Sequence, residues 1–129
     1  MEYFAIKRDF ITFVTFILPS HFILMKILVT GASGFIGSFI VKEAIDRGME
    51  VWAAVRKSSS REYLSDKRIN FIELDLSSED RLREQLTGHV FDYVVHAAGV
   101  TKCSNPADFR KVNTEGTRHL VNTIINMGI

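Results

Sequence analysis

The chain has 129 residues, enough for one domain around one hydrophobic core, and its 47% hydrophobic and 24% charged content excludes a disordered polyelectrolyte. With 16 basic and 15 acidic residues the formal net charge is +1, which offers no basic face for phosphates, so no nucleic-acid partner is expected. The single cysteine, Cys103, excludes an internal disulfide framework and suits a reducing, cytoplasmic compartment; together with four histidines it shows no metal-ligand spacing, so no metal is expected.

Residues 1–24 differ in character from the rest. Phe10 to Leu18 is an apolar run that Pro19, Ser20 and His21 interrupt. It is far shorter than the roughly 20 apolar residues of a membrane span, and no small-residue cleavage site follows it, so no membrane partner is expected. The expectation is an N-terminal extension produced by a misplaced start codon, with the natural start at Met25. A membrane anchor and an ordinary extra helix or strand are the alternatives. Residues 25–129 form the second unit.

From Met25 onward, short apolar runs alternate with segments of helical period. Lys26 to Thr30 reads as the first strand, and Gly34 to Arg47 as a helix with Ile36, Ile40 and Ala44 on one face. Gly48 follows where a left-handed C-cap commonly needs glycine. Val51 to Val55 is a continuous apolar run, as expected of a parallel strand covered on both faces. Ile69 to Leu74 reads as the third strand, Ser78 to Leu86 as a short polar helix, and Phe91 to His96 as the fourth strand. Asn105, with Pro106 after it and Asp108 beyond, reads as the N-cap of a last helix carrying Phe109, Val112, Gly116, Leu120 and Ile124 near one stripe. This alternation predicts an α/β fold, a Rossmann-type doubly wound parallel sheet in the order 3-2-1-4, truncated before strand five.

The strongest local signal is Thr30-Gly31-Ala32-Ser33-Gly34-Phe35-Ile36-Gly37, between a strand and a helix. Glycines let the backbone turn tightly and approach a pyrophosphate with no Cβ in the way. The helix N-terminus presents unpaired N–H groups and partial positive charge to that anion. Gly37 is expected to let the helix lie close to the strand. No Lys-Ser or Lys-Thr pair follows, so the motif is not a triphosphate-binding loop.

The Gly-x-x-Gly-x-x-Gly spacing resembles the short-chain dehydrogenase/reductase superfamily, and three further motifs resemble its extended branch, the NAD-dependent epimerase/dehydratase family. Asp75-Leu76 resembles that family's adenine-contacting pair; a plain cap of the strand end or of the next helix is the alternative for Asp75. His96-Ala97-Ala98-Gly99 resembles its His-x-Ala-Gly motif, which lines the cofactor cleft, while His96 also suits a satisfied polar residue at a strand end. Val112-Asn113-Thr114-Glu115-Gly116-Thr117 resembles its Val-Asn-x-x-Gly-Thr signature; Asn113 is expected to be partly buried and in need of partners, in a binding or a structural role. The resemblance covers Lys26 to Ile129 and implies dinucleotide binding through Gly31, Ser33, Gly34, Phe35, Ile36, Gly37, Asp75, Leu76, His96, Ala97, Ala98, Gly99 and Asn113.

NAD-using relatives commonly place an acid at the end of strand two, bonded to the ribose hydroxyls. Here the strand ends Ala54-Val55-Arg56-Lys57, similar to NADPH-using reductases of the dihydroflavonol-reductase type. Arg56 can grip an extra phosphate that a carboxylate would repel, so NADP is expected over NAD, unless Arg56 and Lys57 are only a solvated loop. The family's Tyr-x-x-x-Lys and Ser catalytic set would lie after strand five, so no catalytic residue is expected in this chain and it is expected to be inactive alone. Tyr63 and Lys67 match the spacing by chance, between strands two and three; Cys103, with no base beside it, is read as an inert thiol. The implied function is the NADP(H)-binding portion of an oxidoreductase acting on a sugar or related carbonyl or alcohol substrate. A homodimer of the complete protein fits the resemblance. The rivals are a non-catalytic dinucleotide-binding or redox-sensing module, and a poorly folding piece whose fourth strand is a bare edge.

Overall fold

The computed structural model describes residues 24–102 and 105–129. The apolar run of residues 10–18 and Cys103 lie outside the described residues. Four strands, β1 (Lys26–Thr30), β2 (Glu50–Val55), β3 (Asn70–Glu73) and β4 (Tyr93–His96), form an all-parallel sheet in the order β3-β2-β1-β4. The predicted order is the one observed. Thr30 pairs with Ala54 and with His96, and Val55 pairs with Glu73, so the carboxyl ends of all four strands lie along one edge.

Side chains alternate between the two faces of a strand. Val51, Ala53 and Val55 join Ile27 and Val29 in one core, under helix α1 (Phe35–Asp46). Ala54 and Leu28 point the other way, into a second core with Leu82 and Leu86 of α2 (Glu79–Leu86) and with Leu120. Burial on both faces explains why these strands carry no alternation of apolar and polar residues.

The buried stripe of α1 is Gly37, Val41, Ala44 and Ile45. This corrects the expected stripe: Ala44 is buried, Ile40 only partly so, and Ile36 is 63% exposed. Ile36 sits in the first turn of the helix, whose buried stripe begins at Gly37. Gly48 closes the helix at φ 74°, the left-handed conformation its position called for.

The last helical segment is not one α-helix. Asn105 caps α3 (Pro106–Arg110), accepting a bond from the Ala107 N–H at 3.0 Å. A π-helical turn follows over Lys111–Glu115, and then α4 (Gly116–Met127). The wider turn shifts the helical phase, so the expected stripe holds only from Gly116 onward: Gly116, Leu120 and Thr123 are buried, while Phe109 and Val112 are exposed. Beside the outer edge of β4 runs a groove lined by Tyr93, His96, Leu120, Val121, Ile124 and Ile129. Among the described residues no helix is long and apolar enough to cross a membrane, and no cluster of metal-ligating side chains is present.

Candidate functional site

The β1–α1 turn follows the inner strand β1 at the carboxyl-end edge of the sheet, where doubly wound folds hold their ligand crevice. Gly31 has φ 68°, and a Cβ there would stand 2.5 Å from the Ala97 carbonyl carbon and the Ala98 nitrogen. Only glycine supplies both the backbone conformation and the close approach. The Gly34 N–H donates to the Gly31 carbonyl at 3.0 Å, closing the turn. A Cβ on Gly37 would fall on that same carbonyl, so Gly37 lets the helix sit against the turn itself rather than against the body of the strand.

Helix α1 begins with no side-chain cap and no acid in its first turn. Its first amides therefore have no helical partner, and Gly34, Phe35 and Ile36 are exposed there. Ser33 lies in the same turn, partly buried. This uncapped helix start over a glycine turn has the features of a pyrophosphate cradle.

At the end of β2, Arg56 is exposed in a short turn. Its N–H donates to the Ser59 Oγ at 3.0 Å, and the Ser59 N–H donates back to the Arg56 carbonyl at 2.9 Å. Among the described residues no carboxylate pairs with Arg56. After β3, Asp75 Oδ1 accepts from the Ser77 N–H at 3.0 Å and hydroxyl at 2.6 Å, and Oδ2 accepts from Arg81 at 2.8 Å. The Ser77 bonds, foremost, hold the Asp75 carboxyl below its usual 3.8. Asp75 thus ties the loop before α2 to Arg81 of that helix, whose N-cap is Ser78, with lone pairs to spare for a further donor. Leu76 packs on α4: its carbonyl accepts from His119 Nδ1 at 2.9 Å, and its Cβ stands 3.5 Å from where a Cβ on Gly116 would be.

After β4, His96 is held at both ring nitrogens: Nδ1 lies 2.6 Å from the Thr30 hydroxyl and Nε2 lies 2.9 Å from the Thr117 hydroxyl. Burial pushes its pKa below the usual 6.5. Ala97 and Ala98 form the wall against Gly31, and the Ala97 N–H donates to the Thr30 carbonyl at 3.1 Å. Asn113, in the π-helical turn, clasps the next loop: Oδ1 accepts from the Val100 N–H at 2.8 Å and Nδ2 donates to the Val100 carbonyl at 2.9 Å. Its Oδ1 also lies 3.2 Å from a Cβ placed on Gly99.

The fold therefore brings the Gly31–Gly37 turn, Arg56, Asp75–Leu76 and His96–Gly99 to one edge of the sheet, with Asn113 packed against the last of these. Thr30 and Thr117 belong to those motifs, but the motifs themselves do not indicate their clamp on His96. The signal available was their position, one residue before Gly31 and four after Asn113. Tyr63 is 65% exposed on the β2–β3 connection, beside buried Leu64.

A model of the NAD dependent epimerase/dehydratase family matches residues 27–129. The chain belongs to that family. It is 34% identical over 116 residues to a UDP-glucose 4-epimerase of Klebsiella pneumoniae, covering 81% of this chain and 84% of that one. It is 34% identical over 110 residues to cinnamoyl-CoA reductase 1 of rice, Oryza sativa subsp. japonica, covering 80% of this chain but 31% of the reductase. The Thermus thermophilus UDP-glucose 4-epimerase, solved in complex with NAD, superposes at TM-score 0.72 with 27% identity, over 81% of this chain and 35% of that one. The chain thus spans most of the Klebsiella relative and about a third of the length of the other two. This epimerase/dehydratase-family chain carries the part of the fold that those relatives share.

Proposed function

We propose that this chain is the dinucleotide-binding portion of an NADP(H)-using oxidoreductase acting on a sugar or related carbonyl or alcohol substrate. Family membership supports nicotinamide dinucleotide chemistry as the activity class. The observation that carries the finer reading is Arg56, exposed at the end of β2 and free of any carboxylate among the described residues. NAD-using relatives commonly place an acid at this strand end to bind the ribose hydroxyls. A guanidinium there offers charge-assisted bonds to a 2′-phosphate instead.

In this reading the Gly31–Gly37 turn holds the pyrophosphate: amides at Ser33, Phe35 and Ile36 donate, Gly31 and Gly37 allow the close approach, and Gly34, whose N–H goes to the Gly31 carbonyl, shapes the turn. Asp75 and Leu76 border the adenine, and His96, Ala97, Ala98, Gly99 and Asn113 line the cleft towards the nicotinamide. The dinucleotide supplies the hydride; the residues here bind and orient it. The relatives named above act on a nucleotide sugar and on a coenzyme A thioester, so the shared part of the fold serves more than one substrate.

Titrating the chain with NADPH and NADH tests the assignment. NADPH is expected to bind at least tenfold more tightly, and Arg56→Asp to weaken NADPH at least 30-fold while changing NADH by less than about threefold, the scale of one or two charge-assisted bonds. Equal losses for the two dinucleotides would contradict the NADP assignment.

A further inference from the structure

We propose that His96 is a positioning residue, locked as the neutral imidazole protonated at Nε2, which ties Thr117 on α4 to the Gly31 turn through Thr30. The proposal deepens the dinucleotide-binding reading and, where it concerns affinity, rests on it.

The direction of each bond fixes the tautomer. A threonine hydroxyl has one proton to give. That of Thr117 goes to the Asn113 carbonyl, at 2.7 Å. The Thr117 oxygen can therefore only accept from His96, so Nε2 carries the proton. Nδ1 of a neutral ring is then bare and accepts from the Thr30 hydroxyl at 2.6 Å. The Thr30 oxygen in turn accepts from the Ala98 N–H at 3.4 Å. Five groups on four segments form one directed chain, from the Ala98 N–H through Thr30, His96 and Thr117 to the Asn113 carbonyl. The other tautomer would leave the Thr30 hydroxyl proton without an acceptor and take the Thr117 proton from Asn113.

The chain ends where position matters. The Ala97–Ala98 peptide lies against Gly31 so closely that no Cβ fits between them. Holding the Ala98 N–H and the Ala97 N–H on Thr30 sets that peptide, and with it the seat of the glycine turn. Asn113, at the far end, grips Val100 on the same loop. Thr117 touches neither the turn nor Ala98, yet the relay makes both depend on it.

The test uses the full chain labelled with nitrogen-15. Long-range proton–nitrogen spectra are expected to show His96 protonated at Nε2 and bare at Nδ1. Thr117→Val is expected to shift the Gly31 and Ala98 amide signals and weaken NADPH binding about tenfold, the scale of one buried hydrogen bond. Thr117→Ser, which keeps the hydroxyl, is expected to restore both. An Nδ1-protonated or averaging ring, or Gly31 and Ala98 signals unmoved in Thr117→Val, overturns the relay. A wild-type chain that binds no dinucleotide overturns the function proposed above; the ring tautomer and the amide signals then decide the relay by themselves.

Discussion

Single residues at the crevice carry constraints that substitution exposes. Gly31→Ala forces a side chain onto φ 68° and into the Ala97–Ala98 peptide. Strain and overpacking together predict a loss of about 2–3 kcal/mol in urea denaturation, and a loss below about 0.5 kcal/mol would mean that the turn is not seated as described. His96 sets a pH dependence. Burial lowers its folded pKa, so the unfolded chain takes up the proton first as pH falls past about 6.5. Stability that is full above 6.5 is therefore lost as pH falls from there through the lower folded value. The melting temperature should drop as pH falls below about 6.5, and His96→Gln, which cannot titrate, should flatten that part of the profile. An unchanged slope in the variant would assign the pH dependence to other groups. Of these residue-scale features, the glycines were legible because a motif between a strand and a helix states its own geometry. The threonine clamp was not, because a hydroxyl's partner is set by tertiary contact.

At the scale of elements, strands were easier to read than helix faces. Continuous apolar runs such as Val51–Val55 mark buried parallel strands whatever packs on them. Apolar spacing on a helix says which residues share a face but not where the sheet beneath it ends. Ile36 and Ala44 fit one stripe, yet Ile36, in the first turn, is exposed and Ala44 is buried in the core. The π-helical turn escaped for a related reason: one widened turn alters no composition, only the phase, and Phe109 and Val112 rotate out of the stripe that Leu120 keeps. That turn presents Asn113 to Val100 by both ends of its amide. Asn113→Ala should cost about 1–3 kcal/mol, because it strands a partly buried N–H and C=O, and should speed hydrogen exchange at the Val100 amide. Unchanged exchange there would show that the loop is held by other contacts.

The whole molecule follows from right-handed crossovers on a parallel sheet, which put helices on both faces and every strand's carboxyl end on one edge. The sheet order and that crevice could be foreseen because the alternation of elements leaves few alternatives. The identity of the substrate could not, since the relatives that share this part of the fold act on different chemistries. The function proposed for this chain depends on a dinucleotide binding in the carboxyl-end crevice. Titrating the nitrogen-15-labelled chain with NADPH, while following its amide signals, probes that crevice residue by residue. Binding there predicts saturable shifts at Gly31 to Gly37, Arg56, Asp75, Leu76 and Ala97 to Gly99, with the amino ends of the strands, around Lys26 and Glu50, unmoved. Saturable shifts confined to the strands' amino ends, or none at all, would contradict it.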